Sequence, residues 1–176
     1  MTEVATLDVK IETEQQLFNS MDPAPFRRRE LDPALVDYII AFGEKAASGA
    51  DLRLSISLAA SPAGVDVEAV IADAVSENFL RRAVDTRRGL QRLFHDGRIS
   101  LAIGIAFVAL AIVIGEWLAV SLATSHYAQV IVDTIVIGSW VALWHPVNIF
   151  LFEWWPIRRQ AQLYDRLSTM TVRVIS

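Results

Sequence analysis

The chain has 176 residues, 53% of them hydrophobic, with 16 Lys and Arg against 20 Asp and Glu for a formal net charge of −4. That length fits one domain. Cysteine is absent, which excludes disulfides, thiol chemistry and cysteine-held metals, and the acidic balance disfavours nucleic acid as a partner.

The first twenty residues are polar and acidic without an apolar run, so no cleavable signal peptide is expected. Thr6 to Glu12 alternates strictly, with Leu7, Val9 and Ile11 on one side and charge on the other, which predicts a half-buried strand. From Leu17 to Pro33 come three prolines, two phenylalanines and a triple arginine. Residues before proline are pushed toward extended backbone, so this segment reads as a loop. Its members Phe18, Pro23, Pro25, Phe26, Arg27, Arg28 and Arg29 either plug the domain's own core or form a docking loop for a partner or a membrane surface. Asp32 before Pro33 has the chemistry of an N-cap followed by a first-turn proline. Leu35, Val36, Ile39 and Ile40 then recur at helical spacing until Gly49. A second alternating strand runs Leu52 to Leu58, and a strand, helix, strand order of this length predicts a parallel pair joined by a right-handed crossover.

Pro62-Ala63-Gly64 marks a turn and Asp66 a cap. From Val67 one apolar stripe (Val70, Ile71, Ala74, Val75, Phe79, Ala83, Leu90, Leu93, Phe94) predicts a helix about 40 Å long, with Gly89 or Gly97 as places for a kink. Two apolar stretches follow between Ile99 and Phe152, separated by the uncharged turn Thr124 to Gln129. Each runs to roughly twenty residues, the length a helix needs to cross a bilayer, and so short a turn requires an antiparallel hairpin. A second amphipathic helix, Arg158 to Leu167, leads to a third strand in which Met170, Val172 and Val174 alternate with Thr171 and Arg173.

The expected fold is therefore an α+β membrane protein: a transmembrane helical hairpin carrying a small cytoplasmic α/β domain of three strands and two to three helices, the C-terminal strand completing the sheet. Residues 1–98 make that domain and its connecting helix, 99–153 the hairpin, and 154–176 the return to the sheet. Charge sets the orientation. Residues 81–98 hold six Arg against two Asp, the tail from 156 holds four Arg against Asp165, and the turn between the spans holds no Lys or Arg. Basic flanks stay on the cytoplasmic side, so both termini are expected there. Such clusters either fix topology alone or also bind anionic headgroups of the bilayer.

The segment Leu17 to Pro33, together with Gly138-Ser139-Trp140-Val141-Ala142-Leu143-Trp144-His145-Pro146 and Phe152-Glu153-Trp154-Trp155-Pro156-Ile157-Arg158, resembles a widespread, uncharacterised family of small two-span bacterial inner-membrane proteins. The resemblance covers most of the chain. It implies a location in the bacterial inner membrane and contributes no activity and no site residues.

Three groups of residues stand out within the apolar half. Glu116 and Asp133 fall at similar distances from the turn, within one helical turn of the same depth. Ionisable groups inside a bilayer are costly and mark candidate ion or proton sites, with His145 nearer the cytoplasm. The same acids are also compatible with hydration at the outer interface, or with pairing to Ser121, Thr134 or His126. His145 precedes Pro146, which removes a helical hydrogen bond, and the histidine is placed either to bond the freed carbonyl or to titrate. Ala111, Gly115, Ala119 and Ala123 recur every four residues, with Gly138 and Ala142 matching on the second span, so helices can approach closely there, within the hairpin or between copies. Trp154, Trp155, Arg158 and Arg159 have the composition of an interfacial anchor.

No glycine-rich phosphate loop, paired histidine–carboxylate spacing or nucleophile elbow is present. The expectation is a non-enzymatic protein without cofactor or metal, which self-associates as a homo-oligomer and presents a cytoplasmic scaffold domain to a cytoplasmic or membrane protein partner. The competing expectation is an oligomeric proton or cation channel, or transport component, built on Glu116 and Asp133.

Overall fold

The computed structural model describes residues 4–18, 30–47, 49–58, 67–121 and 126–175. In chain order the elements are β1 (Val4–Ile11), a 3-10 turn (Glu14–Leu17), α1 (Pro33–Lys45), β2 (Asp51–Leu58), α2 (Val67–Ser121), α3 (His126–Asn148), a π-helical stretch (Ile149–Glu153), α4 (Trp154–Ser168) and β3 (Thr171–Ile175). They divide into two compact units. One combines residues 1–86 with 159–176, and the other is 87–158.

The first unit is α+β. Its strands lie in the order β1, β2, β3, and both pairings are parallel, with Leu7 beside Leu54 and Leu54 beside Val172. The alternation read from the sequence decides which side is buried. Leu52, Leu54, Ile56 and Leu58 of the central strand all face the core, while Thr6, Asp8, Lys10, Thr171 and Arg173 remain exposed. The apolar side is covered by Val36 and Ile39 of α1, Ile71, Val75 and Phe79 of α2, and Tyr164 and Leu167 of α4, which form one cluster.

Local chemistry sets the helix ends. The Asp32 carboxylate accepts from the Ala34 and Leu35 amides at 2.9 and 3.3 Å, with Pro33 in the first turn, so two otherwise orphaned donors are satisfied. Gly49, at φ +103°, turns the chain from α1 into β2 in a backbone region that side chains disfavour. A β-carbon on Gly43 would stand 2.9 Å from Leu163 Cδ1 and 3.1 Å from Leu167 Cδ2, so α1 and α4 approach closely at that glycine. The edge strand β3 is tied to the first turn of α2, because the Val174 amide donates to Glu68 at 3.0 Å.

Helix α2 runs unbroken from Val67 to Ser121, past both Gly89 and Gly97, where kinks were allowed. It is one of two helical segments long and apolar enough to cross a membrane, the other lying within Val130–Ser168. The second begins earlier than the sequence suggests, since α3 already includes His126.

Candidate functional site

In the second unit, α2 from Arg87 and α3 run antiparallel. Gly97 meets Ile149 and Phe150, and Gly104 meets Ala142 and Leu143, so seven steps forward on one helix match seven steps back on the other. A β-carbon on Gly104 would stand 3.0 Å from Leu143 Cδ2 and 3.4 Å from the Ala142 carbonyl oxygen. Both glycines are buried. The close approach therefore occurs at Gly97 and Gly104, whose heptad spacing continues to Ala111.

The small residues singled out from the sequence behave differently. Ala142 does lie at the approach. Gly115 and Gly138 do not: a β-carbon on either would meet nothing within 4 Å. Their faces are left open among the described residues. Ala123 lies outside the described residues, as does the side chain of Ala119.

Beyond the Gly104 contact the helices leave an apolar groove of ≈ 630 Å³, lined by Ala111, Gly115, Glu116, Ile135, Ser139 and Trp140 among others. Ser139 turns its hydroxyl inward onto the Ile135 carbonyl at 2.8 Å, which consumes its proton within its own helix. Among the described residues, Glu116 is the one ionisable side chain lining the groove. Continuing the register set by Gly97 and Gly104 puts Asp133 opposite Val113, about 4.5 Å of helix rise from the level of Glu116. Both carboxylates are exposed on the chain's surface. His145 is exposed too, and forms no hydrogen bond among the described residues, so the carbonyl freed by Pro146 is not bonded to it. Thr134 donates to the Val130 carbonyl at 2.8 Å.

Pro146 is fully buried, and shortly after it the helix widens to π geometry over Ile149–Glu153. Asn148 Nδ2 donates to Glu153 Oε1 at 2.6 Å across five residues, the spacing of a π-helical turn. Trp154 follows with its indole Nε1 on the Phe150 carbonyl at 2.9 Å. Its ring lies 6.4 Å from Phe94 and 6.4 Å from Trp155, and the Arg158 guanidinium sits 5.8 Å above it. Phe94 also stacks on Phe150 at 6.1 Å. These contacts join α2 to the end of the second apolar segment ahead of Ile99, within the second unit. Trp155 and Arg159 are exposed, whereas Trp154 is half-buried.

Of the predicted docking loop, Phe18 is in the core. It is 4% exposed and bridges Leu31 across an antiparallel pair, next to Leu17 at 0%. Leu17, Phe18 and Leu31 thus close the loop's two ends over the hydrophobic cluster. Phe18 is therefore not a docking residue, because burying its ring against the core leaves it nothing to offer a partner. Pro23, Pro25, Phe26, Arg27, Arg28 and Arg29 lie outside the described residues. Among the described residues no three His, Asp or Glu side chains gather where a metal ion could be held.

Comparison of the chain with family models, with curated proteins and with solved structures finds no match.

Proposed function

We propose that this chain is a two-span protein of the bacterial inner membrane, with both termini in the cytoplasm, which self-associates through its hairpin and presents the α/β unit as a docking domain. The observation that carries this reading is where the apolar surface lies. In the most apolar windows of the two candidate helices only 11% and 17% of residues are buried, and Trp117, Trp140 and Trp144 are each exposed by more than 65%. A core helix of a soluble protein would be covered, and a soluble monomer rarely leaves more than a few hundred Å² of contiguous apolar surface in water. Hydrocarbon is a solvent in which that surface is at no disadvantage.

The pairing of β2 with β3 supports an even number of crossings. These strands flank the apolar helices in sequence and share one sheet, so both flanks must end on the same side of any bilayer. Their basic character favours the cytoplasm, and the family resemblance supports the bacterial inner membrane.

Self-association is supported by Gly115 and Gly138, where an added β-carbon would meet nothing within 4 Å among the described residues. Docking is supported by the sheet. Parallel sheets are ordinarily covered on both faces, and here the polar face keeps Thr6, Asp8, Lys10 and Arg173 exposed. Native mass measurement in mild detergent tests the reading. A defined multiple of the 19.6 kDa chain is expected, and a monomer at every detergent concentration overturns self-association.

One observation favours a second reading, conduction of protons or cations by an oligomer: Glu116 lines the groove between the apolar helices. The groove's other lining is almost wholly apolar, which ranks this reading below the first. Flux into proteoliposomes decides it. Conduction predicts a current reduced by Glu116→Gln and Asp133→Asn, and no current, or one indifferent to both substitutions, removes it.

A further inference from the structure

We propose that a cavity at the N-terminal end of the sheet binds a phosphate monoester through Arg53 and Arg166. The cavity has a volume of ≈ 410 Å³, and its lining includes Gly49, Asp51, Arg53, Arg166, Thr169 and Thr171. All of them belong to the first unit.

Arg53 is the starting point. It lies on the polar face of the central strand, between Thr6 of β1 and Thr171 of β3 in the register, so neither strand neighbour offers it an anion. The side chain is half-buried, and its Nε is sealed from solvent with no hydrogen-bond partner among the described residues. Among the described residues the guanidinium makes no ion pair. A cation stripped of part of its hydration and given no partner is unfavourable as it stands. The same loss of hydration strengthens its attraction for an anion arriving at the outer nitrogens.

Arg166 is held ready from the other wall. Its Nη2 donates to the Ala47 and Ala50 carbonyls, 3.1 Å each, which fastens the guanidinium plane to the turn before β2. The Nε and Nη1 hydrogens remain available among the described residues. Among the described residues Asp51 is the one carboxylate lining the cavity, and neither arginine pairs with it. Two guanidinium groups against one carboxylate leave an uncompensated positive charge.

The remaining polar groups divide cleanly. The Thr169 hydroxyl is engaged by the Asp165 and Arg166 carbonyls at 3.3 and 3.2 Å, so it shapes the wall and donates nothing to a ligand. Thr171, beside Arg53 in the register, supplies a neutral hydroxyl donor. The outer fork of Arg53, the separate remaining donors of Arg166 and a hydroxyl match the several oxygens of a phosphate better than the two of a carboxylate. The volume falls within the range of small-molecule pockets, leaving space for an organic group on the phosphate.

The phosphate can belong to a soluble metabolite or to a lipid whose headgroup is a bare phosphate, and the experiment separates the two. The full chain in phosphatidylcholine nanodiscs is titrated with glycerol 3-phosphate, with glycerol as control, by calorimetry. In parallel, nanodiscs containing phosphatidic acid are compared with phosphatidylcholine alone by thermal unfolding of the chain. Saturable glycerol 3-phosphate binding assigns the soluble source, and a phosphatidic acid effect without it assigns the headgroup. In either case Arg53→Gln should weaken the effect at least tenfold and Thr171→Val a few-fold, with far-UV circular dichroism unchanged. Arg53→Lys, which keeps the charge and loses the fork, should fall between parent and Arg53→Gln. Arg166→Gln is less decisive, since it also releases the turn at Ala47 and Ala50. No response to either probe, or a response that Arg53→Gln and Thr171→Val leave intact, overturns the site.

Discussion

Gly104 packs against the carbonyl of Ala142, the carbonyl to which Pro146 has no N–H to give. Four residues separate donor and acceptor in an α-helix, so a proline always leaves the carbonyl of i−4 without its partner. A glycine opposite leaves room where a β-carbon would stand 3.4 Å from that oxygen, and so lets the helices approach. Each residue is an irregularity alone, and together they make the helix–helix contact.

Enlarging Gly104 should open that contact in proportion to the side chain added. In Gly104→Ala the new methyl meets the movable end of Leu143 at 3.0 Å, and the gain in helix propensity offsets much of the strain, so stability should stay within about 1 kcal/mol of the parent. Gly104→Leu has to displace the Ala142 carbonyl as well and should cost about 1–3 kcal/mol. Thermal unfolding in detergent measures both, and equal stability of Gly104→Leu and parent would be inconsistent with the contact.

Gly115 and Gly138 should respond in the opposite sense. Gly115→Leu and Gly138→Leu add side chains into open space, so the monomer should keep or slightly raise its stability through helix propensity, by up to about 1 kcal/mol. Association between copies should fall sharply. Native mass and unfolding, recorded on the same samples, separate these effects.

Within the α/β unit, Leu54 is fully buried at the centre of the middle strand, between Leu7 and Val172. Leu54→Ala should cost about 2–5 kcal/mol, the range for leucine truncated in a packed core. The cap of α1 is a smaller and more local effect: Asp32→Ala should cost about 1 kcal/mol by releasing the Ala34 and Leu35 amides. Denaturant unfolding followed by circular dichroism is expected to rank the two in that order.

Because the chain contains no cysteine, single thiols report topology without background. A membrane-impermeant maleimide added outside intact cells should label Ser125→Cys and leave Ser176→Cys unlabelled until the membrane is opened. Labelling of both positions from outside rules out the proposed orientation.

What the sequence disclosed was what neighbours in sequence decide. Alternation at Leu7, Val9 and Ile11 and at Leu52 to Leu58 disclosed β1 and β2 with the correct buried face, and Asp32-Pro33 disclosed the start of α1. The third strand was legible for the same reason. The contact at Gly104 was not, because its meaning depends on a proline in another helix, although the heptad Gly97, Gly104, Ala111 was a usable signal. Small residues at Gly115 and Gly138 follow the same spacing rule as a packing face, and spacing alone does not say which partner they face. Arg53 is not legible as a site residue, since alternation predicts a side and says nothing about whether a partner waits there. Phe18 was ambiguous until Leu31 was seen to pair with it.

The order of strands in the sheet sets a timetable for biogenesis. A ribosome releases β1, α1 and β2 early, but the neighbour that β2 needs on its second side, β3, emerges only after both apolar helices have been made. Until then one side of β2 is an unpaired edge, the kind of surface that recruits other chains or proteases. In the proposed topology Thr171 reaches Arg53 only when both helices have been accommodated and the tail lies on the same side of the membrane as β2. If the chain spans the bilayer as proposed, closure of three short strands reports that both helices have been inserted, and a molecule that fails at either helix keeps the edge of β2 exposed.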